Sequence, residues 1–208
     1  YLKTGVAAVT GFNVYASQEG PETGQRRYFA VYRKDTYVEA ATVGTGDYFD
    51  FGFGGAQYSR TSDSVDLPIN SGEAVYNGRY GGTRVQMASG GTEDITLVEG
   101  DATITVDFLD FENRRAVEGK IENRRYYSVN GDYEGVLPTI FLDTTNFGTD
   151  GFIEPGVATT YEGDSIEPYE TGTYEGVFAG PNGEQITGVI IIEDTNVSRE
   201  IGVFTVTD

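Results

Sequence analysis

Residues 172–192 read GTYEGVFAGPNGEQITGVIII. Tyr174, Gly176 and Phe178 alternate on one side of a strand. Pro181, Asn182 and Gly183 supply turn chemistry, because proline presets φ and glycine and asparagine tolerate left-handed backbone. Residues 186–192 form the return strand, with Gly188 inside it. Two β-prone runs about such a turn make a β-hairpin. The chain on either side follows the same scheme of short alternating strands, interior glycines and tight turns.

Upstream, residues 101–109 (DATITVDFL) alternate, with Ala102, Ile104, Val106 and Phe108 on one face. Residues 110–115 turn, and residues 116–128 (AVEGKIENRRYYS) return with Gly119 in their middle. Residues 73–80 form a strand containing Gly78; Gly81–Gly82 read as a turn, and residues 83–88 run back. Residues 95–98 form a short strand or loop, residues 136–144 a strand entered through Pro138, and residues 157–161 a short strand. Residues 201–206 (IGVFTV) close the chain. About eight strands joined mostly by short turns from Glu73 onward suggest an up-and-down barrel or a sandwich. Glycine weakens a strand unless it relieves curvature or admits a close approach. Gly78, Gly119, Gly176 and Gly188 therefore favour the strongly coiled small barrel.

The first 67 residues read as a smaller antiparallel sheet. An edge strand falls near residues 11–15, residues 27–33 (RYFAVYR) alternate, and residues 36–43 follow a turn. Residues 48–58 (YFDFGFGGAQY) form a third clear strand, whose Phe49, Phe51 and Phe53 are expected to pack in the core. Residues 60–71 (RTSDSVDLPINS) are polar, contain Pro68 and form the linker. The fold class is all-β: an eight-stranded antiparallel up-and-down barrel at residues 68–208, preceded by a small antiparallel sheet at residues 1–67.

Composition excludes several chemistries. The chain has no Cys and no His, which removes the usual general base, the thiol nucleophile and the common zinc ligands. Haem would find only Met87 or a tyrosine as axial ligand. Carboxylate pairs such as Asp107/Asp110 and Glu162/Asp164 resemble glycosidase pairs, but 33 acidic residues produce such pairs by chance. The reading is therefore not an enzyme, with no catalytic residue, no cofactor and no metal assigned. The loop at residues 143–151 (DTTNFGTDG) offers oxygen ligands without the calcium-loop spacing.

The net charge is −19 and uneven. Residues 1–125 carry 13 basic against 18 acidic side chains, and residues 126–208 carry Arg199 alone against 15 acids. Such a surface repels nucleic acid and anionic lipid, and suits either solubility or a basic partner. No apolar run approaches the ~20 residues of a membrane helix, so no membrane insertion is expected. Tyr1 is not a start residue; an N-terminal segment removed by processing is expected.

The ordered motifs carry a family resemblance. GEAVYNGRYGG (72–82) resembles the first barrel strand of the transferrin-binding protein B family β-barrel domain. Residues 100–124 are similar to that family's central hairpin, residues 172–192 to its Gly-x-x-x-Gly-x-Phe-x-Gly-Pro hairpin, and residues 201–208 to its closing strand. The resemblance covers residues 68–208. It implies an eight-stranded barrel on, or released from, the surface of a Gram-negative bacterium, often as a lipoprotein. A lipid anchor would then lie upstream of residue 1. It implies a module binding a protein through barrel loops, with the outer-membrane surface, periplasm or medium as its location. The alternative is a lipocalin-like carrier holding a small ligand inside the barrel.

Candidate partner contacts come from the residues. Arg114 and Arg115 sit at a predicted turn tip. Arg124, Arg125, Tyr126 and Tyr127 adjoin, and arginine and tyrosine are enriched at interface hot spots. Alternation places one member of each of these pairs inside.

Overall fold

The computed structural model describes residues 2–18, 27–46, 51–61, 64–68, 72–87, 93–109, 115–194 and 197–208. Leu2–Lys3 (β1), Asn13–Ala16 (β2), Phe29–Lys34 (β3), Val38–Gly44 (β4) and Gly54–Arg60 (β5) form a five-stranded antiparallel sheet in sequential order. Glu73–Met87 (β6), Glu93–Asp107 (β7), Ala116–Ser128 (β8), Tyr133–Val136 (β9), Ile140–Asn146 (β10), Phe152–Thr160 (β11), Glu170–Ala179 (β12), Gln185–Asp194 (β13) and Ser198–Thr207 (β14) form the second sheet. In it the last strand, β14, pairs with the first, β6, and the pairing of β10 with β8 closes the ring. The result is an eight-stranded antiparallel barrel, with β9 pairing beside β10 on the far half of β8.

The hairpin at residues 172–192 forms as its sequence indicates, with Phe178 opposite Ile186, Gly176 opposite Gly188 and Tyr174 opposite Ile190. Gly188 has a close-approach role: a Cβ there would meet the Phe204 ring at 2.6 Å. Gly202 serves Tyr80 in the same way, its missing side chain leaving room for the phenol.

Three strand readings need correction. Gly81–Gly82 is not a turn: β6 runs unbroken for 15 residues and pairs along its length with β7. The two glycines are needed because Val9 and Phe12 press on Gly81 from outside while Gly82 faces Gly202 across β14. The separate runs at residues 95–98 and 101–109 are one strand, β7. The strand through Pro138 is two, because Pro138 supplies no N–H to the ladder. The phenylalanine stripe is also corrected. Phe53 is 63% exposed and precedes β5, Phe51 is half-buried beneath the Arg199 guanidinium, and Phe49 lies outside the described residues.

The barrel interior is filled by side chains. Tyr80, Ile104, Ile121, Ile140, Tyr174, Phe178, Ile186, Ile190 and Phe204 are fully buried in one cluster. Each such side chain contributes roughly 1.5–3 kcal/mol by leaving water. At one end Phe108, Phe147 and Phe178 pack ring to ring, and the Tyr76 hydroxyl donates to the Gly183 carbonyl at 2.8 Å. A second core lies outside the barrel, where Val14, Ala16, Phe29, Val31 and Ala40 of the small sheet meet Leu97, Val189 and Val203 of the barrel. Polar contacts join the same two surfaces: Thr42 Oγ1 donates to the Ile201 carbonyl at 3.0 Å, and Arg60 Nη1 to the Asp150 carbonyl at 2.6 Å.

Candidate protein-binding surface

The surface is set up by one irregularity in β8. Its first half sends Val117, Gly119 and Ile121 inward on alternate positions. Continued alternation would also send Asn123, Arg125 and Tyr127 inward. Instead Asp101 pairs with Glu122 and Glu99 with Arg125, so two residues of β8 oppose Gly100 alone. This is a β-bulge, and it reverses the phase of all that follows. Asn123 carries it with φ of 53°. Asparagine is among the few residues other than glycine that accept that conformation.

Arg124 consequently turns into the barrel, where it is 1% exposed. As a candidate partner contact it is corrected: its guanidinium is internal. Nη2 donates to Glu200 Oε2 at 2.7 Å and Nη1 to the Pro138 carbonyl at 2.5 Å. Arg84 lies in the same layer, donating to Glu170 Oε1 at 2.5 Å and Ser198 Oγ at 2.7 Å, with Glu200 Oε2 at 3.4 Å. The Tyr80 hydroxyl donates to Glu200 Oε1 at 2.8 Å. Two arginines and two glutamates thus balance inside the barrel. Burial acts to raise the Glu200 carboxyl pKa; Arg124, Arg84 and the Arg124 and Tyr80 hydrogen bonds outweigh it and hold the group below its ordinary value. Burial, followed by the Glu200 charge, pushes the Tyr80 phenol well above its ordinary value, so it remains a donor.

Tyr126 also points inward and packs against the barrel core. Its ring lies over Gly135, where a Cβ would come within 2.7 Å. Arg125 and Tyr127 remain outside. Arg125 has a side chain 54% exposed, with Nη1 3.8 Å from Glu99 Oε1. The Tyr127 hydroxyl donates to the same oxygen at 2.7 Å. Its ring meets exposed Tyr133 of β9 edge-on, with centroids 5.9 Å apart. Val136, paired with Arg125, is exposed as well. Glu99 also accepts the Thr10 backbone N–H at 3.0 Å. Burial pushes its pKa up, while the hydrogen bonds from Thr10 and Tyr127 and the Arg125 charge pull it below the usual range. Beside this group lies a depression of about 600 Å³ lined by residues 4–8, Thr10, Glu99, Tyr127, Asn130 and Gly131.

The six candidates are therefore not one site. Arg114 lies outside the described residues, and Arg115 is half-buried with its carbonyl accepting the Phe147 N–H at 3.3 Å. Arg115 and Arg125 stand ten residues apart on one chain segment, roughly 33 Å at strand spacing. The sequence reading missed Tyr133 and Glu99. Tyr133 follows an Asn-Gly-Asp turn and had a local signal. Glu99 had none, because its partners Thr10 and Tyr127 lie 89 and 28 residues away.

Of the acidic pairs, Asp110 lies outside the described residues, and Glu162 and Asp164 sit in an exposed loop. Among the described residues no group of three or more acidic side chains is placed to hold a metal ion. Among the described residues no helix is long and apolar enough to cross a membrane.

No protein-family model matches the sequence, and no curated protein is significantly similar to it. Solved structures do match in fold. A structure described as a surface lipoprotein is 16% identical, with a TM-score of 0.51 over 93% of this chain and 80% of that one. Transferrin Binding Protein B from Haemophilus parasuis Hp5 is 13% identical, with a TM-score of 0.57 over 94% of this chain and 36% of that one. Intact Ap-TbpB, with its N and C lobes, is 14% identical, with a TM-score of 0.53 over 97% of this chain and 39% of that one. The fold is that of a transferrin-binding-protein-B-like β-barrel domain. The chain spans little more than a third of the length of those two Transferrin Binding Protein B chains.

Proposed function

We propose that this chain is a non-enzymatic binding module, displayed on the outer surface of a Gram-negative bacterium or released from it, that recognises a protein partner. The observation that carries the reading is the pairing of a filled barrel with an outward Arg125–Tyr127–Tyr133 cluster. Tyrosine and arginine beside a depression are the residue types that anchor protein interfaces. Residues 1–67 and 68–208 act as two units in this reading, the first bracing the wall of the second. The surface lipoprotein and Transferrin Binding Protein B structures support it by fold. A carrier of the lipocalin type requires an open lumen, whereas this one holds Tyr80, Tyr174, Phe178 and Phe204.

The test is retention of proteins from host serum on immobilised chain, compared with a variant carrying Arg125→Ala and Tyr133→Ala. A protein held by the parent and released by the folded variant supports the surface. Equal retention by both removes the surface, and a small molecule co-purifying in native mass spectrometry would favour the carrier.

A further inference from the structure

The two edges of the five-stranded sheet are unlike. β1 is two residues long and carries Lys3. β5 runs for seven residues, and from Gly54 to Ser59 it has no charged residue, no proline and no register shift against β4. Natural edge strands avoid that combination, because it invites another strand to pair. The ladder fixes which backbone groups are open. Phe53 accepts the Thr45 N–H at 3.0 Å, and Thr61 donates to the Tyr37 carbonyl at 2.8 Å. Between those two bonds the alternate residues Gly55, Gln57 and Ser59 therefore exchange hydrogen bonds with β4. The N–H and C=O groups of Gly54, Ala56 and Tyr58 point away from β4, and among the described residues no backbone group meets them.

The space beside that edge is open as well. Gly54, Ala56 and Tyr58 share the barrel-facing side of β5, since a Cβ on Gly54 would meet Ile201 at 2.9 Å. β5 runs lengthwise above β12: Gly54 lies by Thr171 and Thr173, Tyr58 by Glu175, and Arg60 Nη1 reaches the Phe178 carbonyl at 3.4 Å. Gly54 and Ala56 are exposed all the same. A depression of about 500 Å³ opens between Gly54 on one side and Thr173 and Ile191 on the other. Further along, Glu175 forms no ion pair among the described residues. Burial, followed by the charge and hydrogen bonding of Glu175, pushes the Tyr58 phenol up to about 12. That carboxylate therefore lies charged beneath β5.

We propose that β5 is a docking edge for an extended segment of another protein, which adds to the sheet as a sixth strand antiparallel to β5. Three of its residues pair in turn with Tyr58, Ala56 and Gly54 and send their side chains toward the barrel. The first is a lysine or arginine over Glu175, and the last an apolar residue in the depression by Thr173 and Ile191. Main-chain hydrogen bonds supply the affinity of such an added strand, and alternate side chains its selectivity. The open backbone groups specify a strand, and the unpaired carboxylate specifies its charge. A second copy is not the occupant, because it would set two chains of net charge −19 side by side. The edge belongs to the small sheet and does not depend on the Arg125–Tyr133 surface.

The test uses the full chain and the peptide Thr-Lys-Thr-Val-Thr-Val-Thr, with binding followed by backbone amide shifts in NMR. Saturable binding is expected, with the shifts concentrated in β4, β5 and β12. Methylating the backbone nitrogens of the two valines removes donors aimed at β5 and should weaken binding about tenfold or more. Methylating instead the two threonines that flank the first valine, whose N–H groups face solvent, should leave binding as it was. Ala56→Pro removes an N–H that β4 does not use, so the sheet should tolerate it while docking falls about tenfold or more. Glu175→Gln should weaken the lysine peptide about threefold and leave an acetyl-lysine peptide unchanged. Thermal melting shows that the variants fold, and the comparison of methylated peptides needs no variant. Equal binding by the two methylated peptides, shifts centred away from β5, or no saturable binding would overturn the proposal. So would a dimer of the free chain in sedimentation that Ala56→Pro disperses.

Discussion

Arg124→Met removes one cation from the balanced layer inside the barrel while keeping most of the apolar stem. Glu200 loses a 2.7 Å partner, Glu170 loses a charge 3.8 Å away, and the Pro138 carbonyl loses its donor. Arg84 alone then faces two buried carboxylates. Breaking a buried pair by deleting one partner costs about 3–5 kcal/mol. For a chain of this size each kcal/mol moves the melting temperature by about 2–4 °C, so a fall of about 6–20 °C is expected. Urea unfolding followed by tyrosine fluorescence measures the free energy directly, since the chain has no tryptophan. The loss should come as a lower midpoint at unchanged slope.

The pH dependence tests the cause of that loss. In the parent the Glu200 carboxyl lies below its ordinary value. Its contribution to stability is therefore present above the unfolded carboxyl pKa and is lost as pH falls through the folded one. Without Arg124, desolvation meets less opposition and Glu200 titrates higher. The deficit of the variant should be greatest near neutral pH and shrink on acidification. Adding Glu200→Gln should restore much of the loss, because the second charge then no longer lies buried against too few partners. A loss below about 1 kcal/mol at neutral pH, or a deficit that is the same at acid pH, would refute the balanced-layer argument.

Asn123→Val is expected to cost about 1–2 kcal/mol in the same urea assay, because a β-branched residue resists φ of 53°, while Asn123→Gly should be near neutral. Gly202→Ala places a Cβ against the Tyr80 phenol and should cost about 1–3 kcal/mol, a penalty expected to shrink in a Tyr80→Leu background. Tyr127→Phe removes the hydroxyl at 2.7 Å from Glu99 and should cost about 0.5–1.5 kcal/mol. Glu99 titrates below its ordinary value, so its contribution exists above the unfolded pKa and disappears on acidification. The gap between Tyr127→Phe and the parent should therefore close as pH falls, as seen in melting temperatures across an acid series.

The strand content and the barrel were legible in local chemistry. Period-two alternation at residues 101–108 and 174–178, and the Pro181–Gly183 turn, carry their own instructions, because side-chain direction in a strand depends only on position along it. The Gly81–Gly82 reading failed for a reason outside that rule. A glycine pair reads as a turn unless another segment needs its empty space, and here Val9, Phe12 and Gly202 stand against it. The stripe at Phe51 and Phe53 has the pattern of a core strand, yet the pairing of β5 with β4 begins at Gly54 and leaves Phe53 in water.

The candidate surface was legible only in its ingredients. The sequence by itself determined that Arg124, Arg125, Tyr126 and Tyr127 adjoin on one strand and that alternation divides them. Which of them face outward was decided by the Asn123 bulge, where two residues of β8 lie against Gly100 of β7. A bulge is a property of two strands in register, so its effect depends on a neighbour that local sequence does not contain. Tertiary structure likewise decided which outward apolar residues became core and which stayed exposed. Val189 and Ile191 are two residues apart on β13. The small sheet packs against Val189, while Ile191 remains 39% exposed, because burial depends on what lies across the wall.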